Sequence, residues 1–267
     1  MCDYFGYSRS GYYKSLATNT AEALREDVIL ELVKEQRRYQ PKIGGKKLYK
    51  LLKADMEQLV APIGRDKFLD VLRKNDLQVR RKKKYVRTTQ SWHYYHKYKN
   101  RLNQKGLTGA HQAYVSDITY LRTRAGFVYL FLQTDAYSRM ITGWHLSDSL
   151  AIEGAVAALK MTLKQCPDSF GAIHHSDRGI QYCCKQYVEL LNKHGMIISM
   201  TEQNHCYENA MAERVNGILK DEFLLDEEFA DKASALKAVR EAIQTYNTRR
   251  PHWSLQLCTP MQVHMAA

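Results

Sequence analysis

The hydrophobic rhythm of this chain changes near residue 110. Before that point apolar residues recur at the three-to-four spacing of helices: Leu24, Val28, Leu32 and Val33 between Asn19 and Arg38, then Leu48, Leu51 and Leu52, then Phe68, Leu69 and Leu72. Thr20 stands where the first helix would take its N-cap. Pro62-Ile63-Gly64 predicts a turn that leaves Arg65, Asp66 and Lys67 in the exposed opening turn of the third helix. From His111 the rhythm is that of strands. "QAYVSDITYLRT" sets Tyr114, Ser116, Ile118 and Tyr120 on one face and Val115, Asp117, Thr119 and Leu121 on the other. "FVYLFLQTDAYS" and "RMITGWHLS" predict two more strands, joined at Asp135-Ala136-Tyr137-Ser138. A helix ("AIEGAVAALKMTLKQC"), a strand ("GAIHHS"), a helix ("QYCCKQYVELLNKHG") and a short strand ("MIISM") follow. The succession predicts an α/β fold, a mixed-sheet layered domain behind a helical region. In the next predicted helix, "CYENAMAERVNGILKDEFLL", Met211, Val215, Ile218 and Leu219 fall within about 100° of arc. Asn209, Glu213, Asn216 and Lys220 lie opposite, as an ordinary solvent face or as something more.

Charge divides the chain at the same place. Residues 1–110 carry 25 Lys and Arg against 11 Asp and Glu, a net of +14, and residues 111–267 carry 15 against 17, a net of −2. A basic front implies a polyanionic partner, nucleic acid first, because neutralising phosphates releases counterions. Three segments result: a basic helical region over 1–78, a basic linker over 79–107 and an α/β core over 108–267. Two short helices with Arg65 and Lys67 opening the second match how a helix-turn-helix presents its recognition helix, although plain helix packing gives the same pattern. The run Arg80, Arg81, Lys82, Lys83 and Lys84 has no apolar period and predicts an arm over phosphates or a solvated link. In "SWHYYHKYKNR" the rings could stack on bases, or Trp92 and Tyr95 could pack into a core. The longest apolar run, "FVYLFL", is far short of the roughly 20 residues that span a bilayer, and no apolar leader opens the chain. Six cysteines without CxxC spacing predict reduced thiols in a cytoplasmic protein.

Three carboxylates break local rules. Asp117 falls in the middle of a predicted strand, where aspartate is depleted and an unpaired charge is costly to bury. It is either functional or a hydrogen-bonded structural group. Asp177, in "HHSDRGIQY", sits where a buried strand gives way to a turn; it caps the next helix or holds something that needs negative charge. Glu213 and Lys220 lie two turns apart along one line of their helix. Were the three carboxylates to converge they would repel one another unless protonated or neutralised by cations. Oxygen-only ligands suit Mg²⁺ or Mn²⁺, and two such ions about 3.5–4 Å apart serve phosphoryl transfer.

Asp117, Asp177 and Glu213, with thirty-five residues between the last two, resemble the DDE triad of transposases and retroviral integrases. "DITY", "HSDRGIQY", "NAMAE" with Lys220 seven residues after the Glu, and "YNTRRPHWSL…TP" (Tyr246 to Pro260) resemble the second-frame (OrfB) product of the insertion-sequence-three family. "SRSGYY" and "VRRKKKYVRTT" extend the likeness over nearly the whole chain. The family's usual Trp before the first Asp is Tyr114 here, "EQNHCYENA" replaces its Asp-Asn-Ala approach to the Glu helix, and Gln256 stands where Gly is common. The resemblance implies an RNase H-like core, two Mg²⁺ or Mn²⁺ ions on Asp117, Asp177 and Glu213, and Lys220 against DNA near the reacting phosphate. It implies metal-dependent strand cleavage and strand transfer of an insertion sequence, without a covalent protein intermediate. The partners implied are double-stranded DNA, a second copy on that DNA, and an upstream-frame helix-turn-helix and leucine zipper as a fusion; a catalytically silent DNA-binding fragment is the alternative. Within "YNTRRPH", Arg250 and His252 are taken as DNA contacts, or the arginines simply end a helix before Pro251.

Overall fold

The computed structural model describes residues 6, 8–59, 63–79, 94–102, 106–166, 169–202 and 209–267. The chain divides into two compact units, Met1–Arg81 and Lys82–Ala267. The first holds three helices, α1 (Arg9–Tyr39), α2 (Gly45–Leu59) and α3 (Arg65–Lys74). Their apolar stripes meet at Ile29, Val33, Leu48, Leu52, Phe68 and Leu72. The expected start of the first helix is wrong by about three turns. Ser8 is the N-cap, its hydroxyl accepting from Gly11 N at 3.0 Å, while Thr20 lies mid-helix and donates to Leu16 O at 2.9 Å. The reason is packing. Described residues up to Arg25 are exposed, so no buried stripe marks the early turns, and Leu24 is among the exposed residues. The buried positions are Ile29 and Val33; Val28 and Leu32 are half-buried. Between α2 and α3, Tyr49 donates its hydroxyl to Ile63 O at 3.0 Å and Gly64 precedes the first turn of α3; Pro62 of the expected turn lies outside the described residues.

The second unit is built on strands β1 (Ala113–Thr123), β2 (Gly126–Asp135), β3 (Ile141–Ser147), β4 (Ile173–Ser176) and β5 (Ile197–Met200), in the spatial order β3-β2-β1-β4-β5. The first three form the expected antiparallel meander; β4 and β5 run parallel to β1. A two-residue β6 (Glu228–Phe229) pairs with the far end of β1. Side chains alternate as a strand demands. Val128, Leu130 and Leu132 of β2 meet helices α7 (Ala210–Glu222) and α8 (Lys232–Thr248), whereas Phe131 meets α4 (Ile152–Gln165), α5 (Ile180–Cys183) and α6 (Lys185–Lys193) on the other side. The helix expected after β4 is thus two helices. Cys184 interrupts it with an extended ψ of 151° and becomes the N-cap position of α6; no proline or glycine marks the break. A 3₁₀ turn (Trp253–Leu255) and α9 (Pro260–Met265) close the chain. No described helix is long and apolar enough to cross a membrane.

Candidate active site

Two of the three carboxylates are brought together by strand register. The parallel pairing of β1 with β4 matches Val115 to His175. Two residues beyond that pair lie Asp117, still within β1, and Asp177, just past the end of β4. Asp117 has the parity of Val115 and Leu121, so it faces the α7 side of the sheet. There Asn216 of α7 donates Nδ2–H to Asp117 Oδ2 at 2.6 Å. Burial pushes the Asp117 carboxyl up to about 7, and the charge of Asp177 adds to the rise. The Ile118 N–H and Asn216 pull the other way, and Glu213 contributes a smaller push upward. Asp117 therefore feels the charge of both other carboxylates.

Asp177 does not cap the helix that follows. Its Oδ1 accepts from Gly179 N at 2.9 Å, closing a tight turn just before α5, and Gly179 itself occupies the N-cap position. A Cβ on Gly179 would lie 2.9 Å from that same oxygen, so a larger residue there would press on the carboxylate. Glu213 sits in the first turn of α7 and is exposed, yet partial burial raises its carboxyl too. The opposite face of β1 is closed by a neutral network. Ser116 donates to Gln133 Oε1 at 2.5 Å and lies 2.7 Å from His174 Nε2, Gln133 donates to Tyr187 at 2.9 Å, and the Tyr187 hydroxyl lies 2.9 Å from His174 Nε2.

The polar face of α7 is only in part a solvent face. Asn209 and Asn216 are buried, the first donating to Ser116 O at 3.5 Å and the second holding Asp117. Lys220, two turns beyond Glu213, carries its ammonium 4.3 Å from the centroid of the Tyr120 ring. Arg250 and His252 turn inward, which corrects their assignment as DNA contacts: Arg250 is 1% exposed and His252 6%. Arg250 donates Nε–H and Nη2–H to the two oxygens of Glu222, at 2.8 and 2.7 Å. A guanidinium would not be buried without such a partner. Arg65 and Lys67 lie exposed in the first turn of α3, in the other unit. Arg80, Arg81, Lys82, Lys83, Lys84 and Trp92 lie outside the described residues; Tyr95 is 44% exposed and fills no core. Sequence reasoning missed Asn216 as a partner of Asp117. The available signal was its place one turn after Glu213, on the same side of the helix.

The donor set consists of carboxylate oxygens, the chemistry that hard divalent cations such as Mg²⁺ and Mn²⁺ select. Burial is the main cause of the upward push on Asp117; the smaller part that comes from the charges of Asp177 and Glu213 is repulsion that such cations would relieve. Among the described residues, no three His, Cys, Asp or Glu side chains form a ready-made metal cage.

The integrase core domain family matches residues 108–206 and again 194–260. An insertion element IS600 uncharacterized 31 kDa protein of Shigella sonnei is 32% identical over 264 residues, covering 97% of this chain and 96% of that protein. The transposase InsF for insertion sequence IS3A of Escherichia coli K12 is 29% identical over 262 residues, covering 94% and 88%. In fold, a chain in the cryo-EM structure of the simian T-cell lymphotropic virus intasome with PP2A regulatory subunit B56 gamma superposes with a TM-score of 0.50. It is 16% identical and covers 83% of this chain and 74% of that one.

Proposed function

The chain belongs to the insertion-sequence-three family of DDE transposases, and from that premise we propose that Asp117, Asp177 and Glu213 are the carboxylates with which it cleaves and joins DNA strands. The observation that carries this assignment is that Asn216, on the helix that bears Glu213, bonds Asp117, while β4, which ends at the residue before Asp177, pairs with the strand of Asp117. The three would hold two Mg²⁺ or Mn²⁺ ions. When bound, such ions activate an attacking oxygen and stabilise a leaving one at a phosphodiester.

The chain's own residues have narrower tasks. Asn216 orients the Asp117 carboxylate, and the Gly179 N–H fixes one oxygen of Asp177. Lys220 offers a cation near the reacting phosphate, where charge on the non-bridging oxygens must be balanced. The attacking group is water in cleavage and a DNA 3′-hydroxyl in joining, so no side chain becomes covalently attached. Double-stranded DNA, both element end and target, is the substrate. The α2–α3 pair acts as a helix-turn-helix-like unit presenting Arg65 and Lys67, and the Arg80–Lys84 run lies along phosphates. Two or more copies act together on DNA in the cytoplasm, with an upstream-frame product as a candidate fusion partner.

The test uses a duplex carrying the DNA that flanks the gene, incubated with the protein and Mg²⁺ or Mn²⁺, wild type beside Asp177→Asn. Wild type is expected to nick at one defined phosphate. The variant should lose at least about a hundredfold in rate, consistent with removal of a metal ligand. Its DNA affinity should be unchanged or slightly higher, because a negative charge is gone. Cleavage retained by Asp177→Asn would remove that residue from the site. Binding without any cleavage by the wild type would favour a silent DNA-binding fragment.

A further inference from the structure

The segment Tyr246–His252, at the end of α8 and just beyond it, makes none of the proposed contacts with DNA, yet it buries the polar side chains of Asn247, Arg250 and His252 while Thr248 and Arg249 stay exposed. Its residues point to two different parts of the site. Asn247 binds β3 through both ends of its amide: Ile141 N donates to its Oδ1 at 2.9 Å and its Nδ2 donates to Ile141 O at 2.9 Å. That grips the sheet whose strand β1 carries Asp117. Three residues on, Arg250 grips Glu222, the last residue of α7, with two parallel donors. The guanidinium lies over Tyr246, 5.8 Å from the ring centroid, and His252 meets the same ring edge-on at 4.9 Å. The Arg250 N–H donates to Thr245 O at 3.0 Å, so the backbone that presents the fork is itself tied to α8.

Helix α7 is thus held along its length, beginning at its N-cap residue Asn209, which donates to Ser116 O. Asn216 binds Asp117 in its middle, and Arg250 binds its end. Glu213 and Lys220 lie between and around these anchors, Glu213 about 13 Å along the axis from Glu222 at 1.5 Å per residue. A small tilt or rotation at the Glu222 end therefore moves Glu213 relative to the two aspartates. The chemistry of the anchor fits such a task. A buried ion pair is often no more stabilising than an apolar pair of the same volume, so its presence argues for geometry more than for stability. The planar guanidinium fork fixes distance and orientation together, which a lysine would not.

We propose that this segment is a brace between sheet and helix, with Arg250 acting through Glu222 as a positioning residue for Glu213 and Lys220. The inference rests on the proposed role of Glu213. It also makes a structural claim that does not depend on that role.

The experiment compares full-length wild type with Glu222→Gln and with the apolar pair Arg250→Met/Glu222→Leu. Thermal midpoint, hydrogen exchange resolved along α7 and α8, affinity for the end duplex, and single-turnover nicking at saturating duplex are all measured. The apolar pair is expected to keep its midpoint and its DNA affinity. Both variants should speed exchange of the α7 amides around Glu213 and Asn216 by at least about tenfold, with α8 unchanged. Nicking should slow by at least about tenfold, the scale set by a sub-ångström to ångström misplacement. Unchanged exchange in α7 would overturn the brace. So would a nicking loss that merely follows a lowered midpoint or weaker DNA binding, and so would global unfolding of Glu222→Gln, since the pair would then be a stability element. If wild type cleaves nothing, the reading of Glu213 fails, while the exchange comparison still decides whether Arg250 holds α7.

Discussion

Asp117 takes its properties from what lies on both faces of β1. Above it are the other carboxylates and Asn216; beneath its neighbour Ser116 lies the His174–Gln133–Tyr187 network. His174 is buried, and burial, with the charge of His175 in second place, pushes its imidazole down to about 3. In the unfolded chain histidine takes up a proton near pH 6.5. The contribution of His174 to stability is therefore whole above about 6.5 and is lost as the pH falls from there toward 3, by at most about 1.4 kcal/mol per pH unit. Denaturant titrations of the wild type from pH 7 to pH 5 should show this decline. His174→Gln, although less stable at neutral pH, should show a shallower one, and an equal slope in both proteins would remove His174 as its cause. At this scale the sequence was legible where a residue broke a local rule. An aspartate inside a strand, and another at the lip of one, are anomalies on strand propensity alone. Asn216 and Arg250 broke none. Asparagine on the polar side of an amphipathic helix and arginine before a proline are ordinary, and helical period says which residues share a face without saying what covers it.

The elements fit one another most closely where glycine replaces a side chain. Gly143 of β3 lies so near α4 that a Cβ there would stand 2.2 Å from Ala158 O and 2.4 Å from Thr162 Oγ1, and the first of these is backbone that cannot step aside. Gly143→Ala should cost about 1–3 kcal/mol or more, the usual penalty of overpacking, read as a lowered thermal midpoint. Gly217 of α7 provides the contrast. Nothing lies within 4 Å of a Cβ built there, so Gly217→Ala should be neutral or stabilise by up to about 1 kcal/mol through helix propensity. If both substitutions lowered the midpoint equally, the close approach of β3 to α4 would not be the cause. Period revealed strands β1 to β5 and helices α4 and α7 of the second unit, because each buries one side against a layer; α8 and α9 were not among the expected elements. It failed where burial is absent or the backbone turns without a marker. The early turns of α1 have no covered face, and Cys184 separates α5 from α6 with a residue that could as well continue a helix.

At the scale of the whole chain, the charge split predicts a separation between holding DNA and cutting it. The excess of basic residues lies in residues 1–110, while the carboxylates proposed for catalysis belong to a half whose net charge is near zero. The two tasks should therefore respond to different perturbations. Each phosphate neutralised by a cation steepens the fall of log affinity with log salt concentration by about 0.9. If Lys82, Lys83 and Lys84 lie along the backbone, changing all three to Gln should flatten that slope by up to about 2.7 and weaken binding to any duplex, element end or not. The nicking rate of duplex already bound, measured at saturation, should be unchanged. Asp177→Asn should do the reverse, stopping nicking while leaving the salt slope as it was. Both measurements need only a labelled duplex and a series of salt concentrations. An unchanged slope in the lysine variant would make the run a solvated link. A slope that changed in Asp177→Asn would mean that the carboxylates themselves contribute to how the chain grips DNA, and that the division between the halves is one of composition and not of task.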